Sequence, residues 1–425
     1  MADGTIKILT ELATDGLKKG LNIATKMIAG AAASLGGLGA AAIKVGSQFE
    51  AAMSRVKAIS GATEDEFKNL NELAKQLGAD TAFSASEAAA GMENLASAGF
   101  SATEIMSAMP GMLDLAAVSG GDVAAAADVA ASALNAFGLE AGEATHVANV
   151  FARAAADTNA EALDMGEAMK YVGPVAKAMG ISIEETAAAI GIMSDAGIKG
   201  GQAGTALRGA LSRLSRPTKQ MTNMMDALGV SFYDAEGNML PLRDQVAVLQ
   251  KSFAGLTQEE RNNALVTLYG QESLSGMLAL IEAGPDELGT LTQSLKNSDG
   301  AAEDMAQTMQ DNLAGAMEEL SGSAETLGLE IYESVQEPLK ELAQEGTAAI
   351  NDLVDAFKKG GLPKMAEEAG NVLAMVVKEI SSAAPKLVKA ATACIKGLLS
   401  GIRKNLPPRK LRREVFPSAL HAYGR

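Results

Sequence analysis

Met179 to Leu214 reads MGISIEETAAAIGIMSDAGIKGGQAGTALRGALSRL, and this stretch decides the fold. It describes two alanine-rich helices joined by a glycine-dense turn. It holds no nucleophile, no acid/base pair and no set of metal ligands. The composition around it agrees. Hydrophobic residues make up 48% of the 425 positions, yet aromatics only 4%, with no Trp and 21 Met. A core built from Ala and Met favours thin side-chain layers between closely approaching helices. With only 11 Pro, the chain is predicted to be all-α.

Upstream, capping boxes (Ser or Thr, then Glu three residues later) mark helix starts at Thr63/Glu66, Ser84/Glu87, Ser101/Glu104, Thr158/Glu161, Ser182/Glu185 and Thr257/Glu260. Glycines between apolar residues mark helix stops at Ala98-Gly99-Phe100, Met179-Gly180-Ile181 and Leu228-Gly229-Val230. Residues 62–300 therefore read as a compact helical core of short helices that turn sharply at glycines. The unit recurs loosely, without the fixed period of a stacked-repeat protein. One interruption, VSFYDAEGNMLPL at Val230–Leu242, predicts a small β-hairpin around Glu236-Gly237-Asn238, with Pro241 at an edge.

Two flanks differ from this core. In residues 1–61, Leu17, Leu21, Ala24, Ile28, Ala31, Leu35, Leu38, Ala42, Val45, Phe49, Ala52, Val56 and Ile59 keep alternating four- and three-residue spacing. This is the repeat of a coiled coil, and it predicts a long helix through which copies self-associate. Met27–Ile43 within it is also a short membrane-span candidate, 17 residues between Lys26 and Lys44. In residues 301–405, an amphipathic helix follows Leu313, Met317, Leu320, Ala324, Leu327, Ile331 and Val335. Gly360, Gly361, Pro363 and Pro385 break the chain before an apolar, basic helix at Lys386–Ile402. Residues 406–425 form a basic tail expected to be disordered.

The net charge of −16 is uneven, because Lys386–Arg425 carries ten Lys or Arg against Glu414 alone. The acidic remainder is a poor general nucleic-acid binder. A single cysteine, Cys394, forbids an intramolecular disulfide and fits a reducing compartment during folding. No signal-peptide pattern opens the chain.

A search for chemistry returns no catalytic, cofactor or metal residues. His146 and His421 lie far apart, and no zinc or phosphate-loop spacing occurs. Gly37, Gly39 and Ala42 mimic a dinucleotide fingerprint inside a helical pattern with no strand before it. Gly200-Gly201-Gln202-Ala203-Gly204 is a turn that could cradle an anion, against the plainer reading of a tight helix–helix connection. Arg208, Arg213, Arg216 and Lys219 lack interleaved aromatics and read as a solvated face, or one pairing with acidic neighbours, rather than a nucleic-acid groove. Glu184/Glu185 and Glu259/Glu260 sit in first helical turns, where the helix dipole accounts for them. Asp234, Glu236 and Asn238 lack calcium-loop spacing.

Several stretches resemble, in order, the core region of phage tail tape measure proteins: FSASEAAAGMENLASAGF (Phe83–Phe100), MPGMLDLAA (Met109–Ala117), ALNAFGLEA (Ala133–Ala141), MGEAMKYVGPVAKAMGI (Met165–Ile181) and GIKG followed by AGTALR, continuing to Pro217. The likeness covers roughly Ala79 to Leu242. It implies a non-catalytic protein threaded through the tail lumen of the virion, setting tail length and scaffolding tube assembly after synthesis in the host cytoplasm. The implied partners are tail tube subunits, tail assembly chaperones and tail tip proteins. Members of that family are usually longer, so a truncated prophage copy or a short member is expected. The residues expected to matter are packing positions: Leu17, Leu21, Ile28, Leu35 and Leu38 for self-association, and Gly197–Arg208 for the core turn. The rival reading is a membrane-active pore-former or ejection conduit at the host membrane, inserting Met27–Ile43 and Lys386–Ile402.

Overall fold

Hydroxyl caps start the helices where the boxes place them. Thr63, Ser84, Ser101 and Thr257 each accept the backbone N–H of the Glu three residues on, and each Glu side chain returns to the cap's own N–H. The glycine stops form as expected: Phe100 N–H donates to Leu95 O at 3.1 Å, Ile181 to Ala176 O at 3.0 Å and Val230 to Met225 O at 3.0 Å. The computed structural model describes residues 42–333 continuously, then scattered helical positions up to 368. Leu17–Leu38, nearly all of Met27–Ile43, Lys386–Ile402 and the basic tail lie outside the described residues. The chain divides into two units, residues 49–326 and the two ends (1–48 with 327–425).

The described elements are helices. Helix α1 is described over residues 42–60, followed by α2 (Glu64–Asp80). Three helix pairs come next: α3 (Ala85–Ser97) with α4 (Ala102–Val118), α5 (Val123–Phe137) with α6 (Ala144–Asp157), and α7 (Ala162–Ala178) with α8 (Ile183–Asp195). Helices α9 (Gly200–Ser215), α10 (Lys219–Leu228), α11 (Leu242–Phe253), α12 (Gln258–Tyr269) and α13 (Gln271–Lys296) complete the core, ahead of α14 (Ala301–Gln310) and α15 (Leu313–Glu333). The all-α expectation holds.

The expectation of a loose, aperiodic succession does not. First helices of successive pairs begin at Ala85, Val123, Ala162 and Gly200, intervals of 38, 39 and 38 residues. The second helices end at Val118, Asp157 and Asp195, intervals of 39 and 38. Helices α3, α5, α7 and α9 stack side by side as one layer, and α4, α6 and α8 as the other. The core of the 49–326 unit is thus a stack of helix-pair repeats, in which each pair buries its apolar face on the next. At one end α2 rests on α3 and α4. At the other, α13 packs on α8 and α9, while α14 lies along the second layer, on α4 and α6.

Glycines inside helices set the spacing of the stack. Gly166, five residues after the α7 cap Glu161, lies directly on the Val129 side chain, seven residues after the α5 cap Asp122. Gly204, five after Lys199, lies on the Ala168 backbone, seven after Glu161. One geometric register therefore repeats at two successive joints. Fully buried Met92, Leu95, Met112, Leu134 and Phe151 fill the space between the layers. Each contributes roughly 1.5–3 kcal/mol by leaving water.

Three local expectations are corrected. No strand pair forms at Val230–Leu242; a single antiparallel bridge, Tyr233 to Met239, remains. The Asp234 carboxylate takes the N–H groups of Glu236 and Asn238, which tightens the turn, and α11 starts directly after Pro241. Thr158/Glu161 is no capping box. Thr158 ends α6, with its hydroxyl donating to Ala154 O at 2.7 Å, and Glu161 itself is the α7 cap. Gly200–Gly204 is not a turn either, since these residues are the first turns of α9 and the connection is Ala196–Lys199.

Candidate functional site

The polar side chains singled out in the sequence are spent on joints between helices. His146 on α6 meets Glu184 on α8 at 2.9 Å. The hydrogen bond from His146 is the largest cause holding the Glu184 carboxyl at about 2, and the same bond raises the imidazole pKa against the opposing effect of burial. Glu184 also accepts from Ser182, the α8 cap, so it is fixed from two sides. Glu185 does not close the box with Ser182. Burial raises its pKa, and its carboxylate faces the N–H groups of Leu242 and Arg243 at the start of α11. The helix-dipole reading of Glu184/Glu185 is therefore incomplete, because both acids tie α8 to other elements.

The basic stretch is likewise in use. Arg213 donates to Leu268 O at 3.1 Å and Thr267 O at 3.0 Å, the last carbonyls of α12. Arg208 lies over the Tyr171 ring of α7 at 5.9 Å. Sequence spacing could not reveal that aromatic partner, which stands 37 positions away, about one repeat. Arg216 and Lys219 are exposed. Glu260 serves the Thr257 box, and Asp234 is consumed by its own loop.

The docking of α14 was not foreseen. Buried Asn149 of α6 accepts the Ala302 N–H at 2.9 Å, capping the otherwise uncapped α14 start. Beside it, burial and then the Glu303 charge push Asp114 of α4 up to about 6. A groove of about 950 Å³ runs between the starts of α8 and α11 and the second half of α13, lined by Glu185, Arg243, Asp286, Gln293 and Lys296. Its charges are mixed in sign, and Arg243 stands 4.0 Å from Asp286.

Among the described residues, no group of three His, Cys, Asp or Glu is placed to hold a metal ion. No single described helix is long and apolar enough to cross a membrane. α12 and α13 pass that test only together, and they meet at a bend of 119°. Ala42 of the mimicked dinucleotide fingerprint lies in α1, and of the packing positions Gly197–Arg208 the glycines at 200 and 204 sit at helix contacts.

Comparison with known proteins bears on what this stack is for. Residues 71–270 match the family described as phage-related minor tail protein. Over 345 residues, 81% of the chain, it is 61% identical to the tape measure protein of Pneumococcus phage Dp-1. Over most of its length the chain is similar to phage tape measure proteins. A probable tape measure protein of Escherichia phage P2 is 32% identical over 82% of the chain, and one from Clostridium phage phiCD119 is 25% identical over 85%. The chain spans 29%, 45% and 40% of these three relatives. No solved structure matches. The family match falls on the helix-pair stack, from within α2 to the end of α12.

Proposed function

We propose that this chain supplies the folded core of a tail tape measure, a structural and non-catalytic component that sets tail length and scaffolds tube assembly. The observation that carries the reading is the 61% identity to the Dp-1 tape measure protein over 81% of the chain. The helix-pair stack supports a structural role, since His146, Glu184, Glu185 and Arg213 each join one helix to another. On this reading the protein is made in the host cytoplasm and ends in the lumen of the virion tail. Tail tube subunits, assembly chaperones and tip proteins are its partners, and copies associate through Leu17–Ile59. In that segment Ala42, Phe49, Ala52 and Val56 are buried in the single chain while Ile59 is 46% exposed, so the proposed association rests on the positions before Ala42. The test is an in-frame deletion of the gene in its phage, with tails measured by electron microscopy. Absent tails or tails of altered length are expected, and normal tails of unchanged length would refute the reading.

A further inference from the structure

Helix α15 presents an apolar stripe to solvent. Leu313 is 80%, Leu320 61% and Met317 57% exposed, and Ala324 lies exposed on the same line. The C-terminal end of this stretch is seated. Gly322 faces the carbonyl oxygens of Gly78 and Phe83, where an added Cβ would stand 2.7 and 2.9 Å away, and Glu325 accepts the Ser86 N–H at 2.9 Å. The stripe therefore stands free from Leu313 to Leu320 and is anchored at its C-terminal end, around Gly322 and Glu325. Contiguous exposed apolar surface of this kind marks an interaction site.

Its spacing and charge select an occupant. Leu313, Met317, Leu320 and Ala324 are separated by four, three and four residues. Leu17, Leu21, Ala24 and Ile28 repeat that spacing. Between Lys296 and Lys340 the chain has ten carboxylates and no Lys or Arg, with Glu318 and Glu319 exposed on α15 itself. Between Asp15 and Glu50 it has four lysines, Lys18, Lys19, Lys26 and Lys44, and no acid. Flanking charges set partner choice in helical seams. Two acidic stripes repel, two basic heptads repel, and the mixed pair attracts. Because the N-terminal segment is the one read as joining copies, the occupant is that segment of another copy.

We propose that the Leu313–Ala324 face of α15 is the docking site for the basic heptad Leu17–Ile28 of a second copy of this chain. Self-association is then heterotypic, end segment to α15, rather than the pairing of like N-terminal helices. The inference rests on the reading that the N-terminal segment mediates association, and it names the surface which that segment meets.

The test uses the full chain, by size-exclusion chromatography with light scattering. One variant carries Leu313→Glu, Met317→Glu and Leu320→Glu, all at exposed positions, and the other Leu17→Glu, Leu21→Glu and Ile28→Glu. Circular dichroism checks that each retains its helix content. The wild type is expected to associate, more weakly as salt rises. Each variant should be shifted to single copies at concentrations at least tenfold above the wild-type midpoint. An equimolar mixture of the two should recover a one-to-one complex, because one supplies an intact heptad and the other an intact stripe. A stripe variant that associates like the wild type overturns this inference alone, and so does a mixture that stays as single copies. A monomeric wild type, or an N-terminal variant that still associates, overturns the underlying reading of self-association as well.

Discussion

Gly204 has no room for a methyl group. The Ala168 backbone of α7 occupies the space where a Cβ would stand, so Gly204→Ala must push α9 away from its neighbour α7. We expect it to cost about 1–3 kcal/mol in urea unfolding, as overpacking does. The glycine itself was legible in the sequence, but its mate, 36 residues away, was not, because nothing local announces which helix will cross there. The ionisable groups show the same division. Asp114, held near 6 instead of its ordinary 3.8, makes the folded state bind a proton that the unfolded chain releases. Stability from this group is therefore gained as pH falls from about 6 towards 3.8. Asp114→Asn is expected to raise the melting temperature clearly at pH 7.5 and hardly at pH 4. The His146–Glu184 clasp runs otherwise. Glu184, near 2 instead of 4.5, contributes above about 4.5 and is lost as pH falls towards 2. His146, raised above 6.5, contributes below about 6.5 and is lost as pH climbs through its folded value. Glu184→Gln should therefore destabilise most between pH 4.5 and 6.5, as thermal melts across pH would show, with a smaller effect at pH 8.

At the level of elements, what the sequence reveals is whatever a helix does for its own ends. Ser101 caps α4 through Glu104 by contacts three residues apart, so the motif and the structure coincide. Ser101→Ala is expected to cost about 1 kcal/mol by thermal melting, while a substitution at exposed Ser97 should cost less than half of that. The motif fails where a neighbour competes. Thr158 turns its hydroxyl back to Ala154 O, and Glu185 reaches α11 instead of Ser182. The repeat was hidden for a related reason. Equivalent first helices are capped by Ser84, Asp122, Glu161 and Lys199, four different residues, and α7 is 17 residues long against 13 for α3. A period carried by packing register rather than by cap identity leaves little trace in a one-dimensional pattern. The hairpin at Val230–Leu242 was overread in the opposite sense, since alternation over so few residues is met by one bridge and a side-chain-closed turn.

For the whole molecule, a stack in which each pair contacts mainly its neighbours should tolerate the loss of one complete pair. Removing residues 122–160 joins Gly121 to the α7 cap Glu161 and deletes α5 and α6 together, so α3 meets α7 in the register that α5 used. A cooperative, helical product is expected by circular dichroism and urea unfolding. Removing residues 122–141 alone should instead leave α6 without its pair and give a loosened, aggregation-prone chain. The same deletion separates two ways in which such a core could take part in length determination. Thirty-nine residues drawn out as one helix would span about 58 Å, at about 1.5 Å per residue. In the folded stack those residues double back as two antiparallel helices, and each added pair advances the stack only by about one helix-to-helix distance, about 10 Å. If the core remains folded while the tube polymerises, tails from a phage carrying the 122–160 deletion should differ from wild type by no more than that smaller step. Electron micrographs showing tails shorter by about 58 Å would mean that the stack is pulled out into a rod during assembly, and that the folded core is the form before the tail is built.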